Sequence, residues 1–498
     1  MGAFYLTIFG FRGRPWIDRL IKVMIGVAFS VALLGILQHY ATPGKIYGFR
    51  DASYAPSFGP YVNHNHFAGY MEMMTFLAIG YLLAAYPARR GKGDPVGKRI
   101  LLGFMITVMI ISLCLSLSRG GIISFIVASS FLIGMVWMKR RRRILPLVLL
   151  VLFLAPLFYL LWIGIGPFID RLSTLKEWHA TIGYRLEEWH GALQIIKNFP
   201  LFGTGLGTFM YIFPLYQRKA IPLICDHAEN DYLEIFSDLG FVGGALFWGG
   251  IFFFVGYGIK KWLRRDHPYV VGVSIGGLAG VIAFLFHGLV DFNLRIPANA
   301  FHFFVLLGVV HNVFSLRDGK QKGMGSSPES VKFKGMGRRL FFVLSLVLTG
   351  VYILSITCNY AAERIISEVK KEYGDFFEYG TYPPEGFDEI LSKLRKARAL
   401  SPLYSLPHYF VARGYQQMAS RRPSRRDAGS YLNRAAEAYG CALRLEPVNP
   451  WYHLGLGMVY LYQSKCDRAK RAFERAWRLA PKNRRLHFYL RRLMRERC

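Results

Sequence analysis

Three ionisable side chains alternate along one short polar stretch, Asp226-His227-Ala228-Glu229-Asn230-Asp231-Tyr232-Leu233. His227, Glu229 and Asp231 admit three readings. They can ligate a hard cation. His227 or Glu229 can act as the general base that takes a proton from a sugar hydroxyl. Asp226 can simply cap a helix that starts before Leu233. Arg119, in Leu117-Ser118-Arg119-Gly120-Gly121, lies between two apolar runs. There it can snorkel to an interface, or it can join the amides of a glycine turn in holding a phosphate. Arg185 precedes Glu187, Glu188 and Trp189. If 185–197 is helical, Arg185 shares a face with Glu188 or Trp189; the plainer reading is an amphipathic surface helix. Asn63, His64, Asn65 and His66 can meet sugar hydroxyls or be ordinary interfacial residues. His287 and Asp291 stand one helical turn apart at the end of an apolar run, as a structural pair or as part of a site. Gly203-x-Gly205-x-Gly207 follows no expected strand, so it is no dinucleotide loop. It is expected to be a flexible turn re-entering the outer leaflet.

These residues need a scaffold, and composition says which kind. Of 498 residues, 53% are hydrophobic and 16% aromatic, which suits a polytopic membrane protein with a smaller soluble part. Nine apolar runs approach the twenty or so residues that span a bilayer: 20–38, 66–86, 100–117, 120–138, 144–165, 234–258, 269–290, 298–315 and 340–358. The net charge of +31 comes largely from basic clusters in alternate connections, at 12–22, 89–99, 139–143, 260–265 and 317–339. That pattern marks the cytoplasmic face and argues against a nucleic-acid partner. Residues 39–65, the Ser118–Gly121 turn, the 166–233 loop, the 291–295 turn and everything after Asn359 then share the outer side. Every chemically suggestive group therefore faces one way. Residues 318–337 read as a flexible linker. Met1–Tyr40 shows no cleavable signal peptide, and its first thirteen residues, apolar but too short to span, suit a chain that begins partway through a longer architecture.

The six cysteines show no metal-ligand spacing, while Cys441 and Cys466 can pair in an oxidising compartment. From about 360 a 34-residue period emerges, with Pro447 and Pro481 as equivalent ends. Leu456, Gly457, Tyr460, Ala469, Phe473 and Ala476 hold the small and large positions of a tetratricopeptide hairpin. Ala435, Tyr439 and Ala442 offer an earlier copy, Arg421–Arg426 is a basic insert, and 484–497 reads as a charged capping helix. The expected fold class is all-α. A membrane domain spans 1–358, with an outer loop at 166–233 and a cytoplasmic linker at 317–339, and a repeat domain follows at 359–498.

In order and spacing, Asn63-x-Asn65-x-Phe67-Ala68, Ser118-Arg119-Gly120, Arg185-x-x-x-Trp189, Pro200-Leu201-Phe202-Gly203-x-Gly205-x-Gly207, Asn230-Asp231-Tyr232-Leu233 with Gly240-x-x-Gly243, and Asp291-Phe292 with Pro297 resemble the O-antigen ligase and O-antigen polymerase superfamily. The resemblance covers about residues 40–315. It implies transfer of a glycan from undecaprenyl pyrophosphate, on the periplasmic face of a bacterial inner membrane, to lipid A-core, another glycan or a protein hydroxyl. No metal, nucleotide or other cofactor is implied. Arg119 and Arg185 match the family's pyrophosphate-binding arginines. The family often has a histidine directly before Asn-Asp-Tyr-Leu; here that place is Glu229, and His227 stands two residues earlier, so either is the base. The candidate substrate contacts are Asn63, Asn65, Trp189, Arg218, Asn230, Asp231, Tyr232, His287 and Asp291. The competing reading is a non-enzymatic envelope scaffold or transport subunit, whose repeats recruit a protein partner. Polar residues at mid-span would favour transport, and the expected ones gather at the outer ends.

Overall fold

The computed structural model describes residues 1–52, 57–85, 95–139, 175–218, 225–316, 335–379, 386–421 and 425–483, together with 486, 488, 490 and 491. It is mostly helical and divides into two compact units, Met1–Phe209 with Cys225–Gly323, and Met210–Ile224 with Met324–Cys498.

The first unit contains α1 (Gly2–Gly10), α2 (Arg14–Ala41), α3 (His64–Ala85), α4 (Pro95–Leu115), α5 (Arg119–Met138), α6 (Leu175–Asn198), α7 (Asp231–Leu263), α8 (Pro268–His287) and α9 (Pro297–Phe314). A two-residue antiparallel hairpin, Lys45–Ile46 with Arg50–Asp51, interrupts the expected all-helical pattern. Among the described residues seven helices, α2, α3, α4, α5, α7, α8 and α9, are long and apolar enough to cross a membrane, and they overlap seven of the nine expected runs. The 144–165 run lies outside the described residues, as do the 318–334 part of the linker and the 166–174 part of the loop. The 340–358 run forms the first half of a 45-residue helix, α10 (Gly335–Tyr379), in the second unit.

The helices α3 and α8 are apolar all round and buried all round, so they form the centre of the first unit. Glycines set their separation. A methyl group on Gly276 would stand 2.4 Å from the Phe76 carbonyl oxygen and 2.5 Å from the Gly80 Cα. One on Gly272 would meet the Ala84 nitrogen at 2.5 Å, and one on Gly280 the Met73 carbonyl at 2.7 Å. Gly272, Gly276 and Gly280 recur every four residues, so one stripe of α8 lets the two backbones touch. Close small-residue contact is how helices associate where lipid removes the hydrophobic drive between them. By contrast Leu246, Phe252 and Phe253 of α7 are exposed, as a lipid-facing flank requires.

The helix α7 is broken at Gly240, whose φ is +64°. The break frees helix carbonyls and amides, and the loop after α6 takes them. Thr204 and Gly205 N–H donate to the carbonyls of Ser237 and Asp238, while Phe241 and Val242 N–H donate to those of Pro200 and Leu201. Gly203 (φ +68°) packs on the break so closely that a Cβ would stand 2.4 Å from the Asp238 carbonyl. The glycine run is therefore a fitted clamp on a helix break, where the sequence reading expected a flexible turn.

In the second unit α11 (Phe387–Leu400), α12 (Leu406–Arg421), α13 (Arg425–Leu445), α14 (Pro450–Tyr462) and α15 (Cys466–Leu479) pack successively. The short 3₁₀ turn Phe213–Leu215 packs on α15. Small residues again admit large ones: a Cβ on Gly457 would stand 2.4 Å from the Phe473 ring, and Ala469 and Ala476 are fully buried. Cys441 is a free thiol, so the pairing with Cys466 does not form; Cys466 is disulfide-bonded, but not to Cys441. Of the expected capping helix only Leu486, Phe488, Leu490 and Arg491 are described.

The glycine stripe makes a prediction. Gly276→Ala over-packs the α3–α8 contact and should cost about 1–3 kcal/mol, read as a lower unfolding midpoint in detergent. Gly249, which has nothing within 4 Å of its would-be Cβ, should accept Ala with an unchanged midpoint.

Candidate functional site

Four connections meet at one end of the first unit. Asn63 Oδ1 accepts the Asn65 N–H at 2.9 Å and starts α3. Asn65 Oδ1 accepts the Ser118 hydroxyl at 2.8 Å. Ser118 in turn caps α5, its hydroxyl accepting the Gly121 N–H at 3.2 Å. The half-buried Arg119 thus begins a helix whose position is tied to α3. The next residue, Gly120, packs on His287, where a Cβ would stand 2.9 Å from the imidazole. The start of α5 and the end of α8 are therefore in contact.

The start of α7 is pinned to the same place. Asn230, not Asp226, is its cap: Asn230 Oδ1 accepts the N–H groups of Tyr232 and Leu233, both at 3.0 Å, and its amide donates to the Leu289 carbonyl at 2.7 Å. The Asp231 N–H donates to the Gly288 carbonyl at 2.9 Å, and its carboxylate accepts the Leu294 N–H. The Tyr232 hydroxyl donates to the Leu285 carbonyl at 2.9 Å, and its ring stacks on Trp248. These bonds go to backbone, so Asn230, Asp231 and Tyr232 hold residues 227–229 against the 288–294 turn. His227, Glu229 and Asp231 consequently turn to three different partners and do not converge as a ligand set.

His227 stacks on Phe292, with ring centroids 4.2 Å apart, and its Nδ1 lies 2.8 Å from Glu234 Oε1. The other Glu234 oxygen accepts the Ala228 N–H at 2.9 Å. Arg295 bridges this carboxylate and Asp238, at 2.9 and 2.7 Å, and Asp238 also accepts the Gly207 N–H at 2.7 Å. The clamp on the helix break and the histidine thus share one ionic network. Burial pushes the His227 pKa down, but the Glu234 hydrogen bond and charge outweigh it, and the net shift is upward.

Glu229 sits in the left-handed region at φ +49° and accepts from Arg185 Nη2 at 3.1 Å. Burial and then the Asp291 charge push its carboxyl up to about 8, against the pull of Arg185. Along the same face of α6, Glu188 is pushed up to about 7 by burial, opposed by a hydrogen bond from Cys225 and by the Arg185 charge. The indole N–H of Trp189 is buried without a partner among the described residues.

Beneath these lies a fully buried chain. Asp291 approaches His287 Nε2 and His66 Nδ1, each at 3.5 Å, and its pKa is raised by burial, with the His287 and Arg185 charges opposing. His287 Nδ1 lies 3.0 Å from Glu72 Oε1. His287 is thus in contact with the start of α5, and both His287 and Asp291 are in electrostatic reach of Arg185. Arg218 is exposed and belongs to the second unit.

Sequence reasoning missed Glu72, Glu234 and Arg295 as parts of this site. Glu72 lies eight residues into α3, about 12 Å along the axis, so polar groups do reach into a span. Its signal was present, since an acid inside an apolar run is a functional candidate by default. Glu234 and Arg295 carried no such signal, because their partners are 7 residues and 61 residues away from Glu234 in the chain.

Residues 104–248 match the O-antigen ligase family. No curated protein matches the chain. The matched stretch includes Arg119, α6 with Arg185, the glycine clamp, and the start of α7 with His227. It supports a multi-pass membrane protein of the O-antigen ligase or polymerase type, an enzyme of the glycosyltransferase kind.

The Glu234 contact generates a test. Glu234→Gln removes the larger of the influences that raise His227, leaving the Asp226 charge to raise it against burial and the Arg295 charge, which lower it. The pH midpoint for carbethoxylation of His227, followed by mass spectrometry, should therefore lie above 6.5 in the native protein. It should fall by about one unit or more in the variant.

Proposed function

We propose that the protein transfers a glycan from undecaprenyl pyrophosphate to an acceptor hydroxyl, at the periplasmic face of a bacterial inner membrane. One observation carries this reading. The helix start bearing Arg119 packs on His287 through Gly120, and Arg185, 66 positions away in the chain, acts electrostatically on the same buried His287–Asp291 pair. A diphosphate leaving group needs that arrangement, because negative charge develops on the bridging oxygen as the anomeric bond breaks, and fixed guanidinium groups in a water-poor site offset it.

The roles follow from the contacts. His227, held by Glu234 through Nδ1 and by Phe292 through its face, presents Nε2 as the base. A base oriented by a carboxylate is the usual arrangement for activating a hydroxyl. Nε2 takes the acceptor proton, the acceptor oxygen attacks the anomeric carbon from the face opposite the phosphate, and the carrier diphosphate departs with the bonding electrons. The anomeric centre inverts. Glu229 occupies Arg185 while the donor is absent and yields it to the diphosphate. The deep Glu72–His287–Asp291 chain keeps the floor of the site rigid. The second unit is a periplasmic tetratricopeptide-type domain in this reading, and the acceptor is lipid A-core, another glycan or a protein.

The test is transfer by protein in nanodiscs supplied with a labelled oligosaccharide on undecaprenyl diphosphate. Arg119→Ala and Arg185→Ala should each lower the rate by about 10²–10³-fold with the protein still folded in the membrane; native rates in both variants would end the proposal. His227→Ala should lose about 10²–10⁴-fold, and Glu229→Gln should lose much less. The reverse order would make Glu229 the base. In cells lacking the protein, glycan chains accumulating on the carrier and missing from lipid A-core would identify a ligase. Single repeats on the core would identify a polymerase, and unglycosylated protein the third acceptor class.

A further inference from the structure

The break in α7 stands at a definite depth. From Phe241 to Trp262 the helix rises about 32 Å, at about 1.5 Å per residue, which matches the hydrocarbon core of a bilayer. Its inner end is marked by Lys260 and Lys261 and held by the Trp262 indole N–H, which donates to the Val271 carbonyl of α8 at 2.9 Å. Gly240 therefore lies at the outer boundary of the hydrocarbon. Beyond it the helix folds over. Phe236 packs on Gly244, where a Cβ would stand 2.4 Å from the ring, although a straight helix holds those positions about 12 Å apart. The outer piece, Asp231–Leu239, then covers about 12 Å between that boundary and the end where His227 and Glu229 are held.

The glycine clamp is bonded to the break, so it lies at the same boundary. Its side chains are apolar and open. Phe202 is 75% exposed and Leu206 67%, with Leu201, Phe241 and Val242 exposed beside them. Phe241 and Val242 are the residues whose N–H groups bond the loop, so loop and helix contribute to one apolar surface on a fixed backbone. An exposed surface of this kind marks a binding or lipid-contact site.

Composition chooses between a bilayer surface and a single apolar chain. Segments that rest on a bilayer surface carry Lys or Arg for the phosphates and Trp for the interface. In a chain of net charge +31, no Lys, Arg, His, Asp, Glu or Trp occurs between Lys197 and Arg218. The clamp is nevertheless tied to His227, through Gly207, Asp238, Arg295 and Glu234. A ligand that meets both ends of this connection needs a charged head and an apolar chain that runs from the reactive end to the hydrocarbon boundary.

We propose that the clamp is the subsite for the prenyl chain of the glycan carrier, which lies against Phe202 and Leu206 while its diphosphate is held at Arg185. The subsite rests on the carrier named under the proposed function, so binding of that carrier is measured separately. Undecaprenyl diphosphate is supplied as a minor component of nanodiscs of phosphatidylethanolamine and phosphatidylglycerol, and its binding to the full-length protein is read by native mass spectrometry. With p-benzoylphenylalanine in place of Phe202, irradiation should give an undecaprenyl diphosphate adduct enriched over its share of the lipid, and Arg185→Ala should abolish that enrichment. The double variant Phe202→Ser, Leu206→Ser should bind undecaprenyl diphosphate about tenfold more weakly or worse. It should bind geranyl diphosphate, which has the same head on a short chain, as the native protein does. Loss of both ligands would report misfolding and leave the decision to the cross-link. Phospholipid adducts in proportion to the bilayer, or native affinity of the double variant for undecaprenyl diphosphate, would overturn the subsite and leave the carrier reading standing. A native protein that binds no undecaprenyl diphosphate would overturn the carrier reading and the subsite with it.

Discussion

Glu72 and His287 meet because α3 and α8 approach as closely as two backbones can. Each of Gly272, Gly276 and Gly280 leaves no room for a side chain between the helices. That spacing carries a buried carboxylate of one helix to 3.0 Å from a buried imidazole of the other. A wider contact would strand both groups in an apolar interior, at a cost of several kcal/mol for an unpaired charge. The core packing and the polar floor of the site are one constraint seen from two sides. The remaining parts attach to it: Gly120 brings α5 onto His287, and the 288–294 turn receives the cap of α7.

A second constraint acts at the α7 break. A helix interrupted inside the bundle must return its freed carbonyls and amides to protein partners, since lipid offers none. The Pro200–Gly205 segment supplies them and is thereby drawn against the start of α7. Asp238 ties that clamp to Arg295, and Arg295 ties it to Glu234 and His227. Strain at Gly240 and Gly203, both at positive φ, is tolerated because glycine meets it without a steric penalty. The outcome is a histidine whose orientation is determined by residues spread over ninety positions of chain.

Most of the architecture could be read from the residues in order. Runs of about twenty apolar residues report bilayer crossing whatever the neighbours do, because hydrocarbon solvates a segment by its own composition. The gathering of Asn65, Arg119, His227 and Asp291 at one end of the helices followed from counting spans. Several details were not legible. Asn230, Asp231 and Tyr232 look like ligand contacts in sequence, yet their polar atoms bond backbone across a turn some sixty residues away. The Gly203–Gly207 run looks flexible until its partner, a break in another helix, is in view. Cys441 and Cys466 looked pairable at a distance of 25 residues, and only their placement separates them.

The amino-acid order alone determined the mostly helical, multi-spanning character, the shared end of the candidate residues, and the candidacy of Arg119, Arg185, His227 and Glu229. These depend on composition and on spacing along single elements. The tertiary structure decided which carboxylate faces which arginine or imidazole: Glu229 to Arg185, Glu234 to His227, Glu72 to His287. Such pairings depend on distances between elements far apart in the chain, and a difference of an ångström there decides whether a buried charge is matched or stranded.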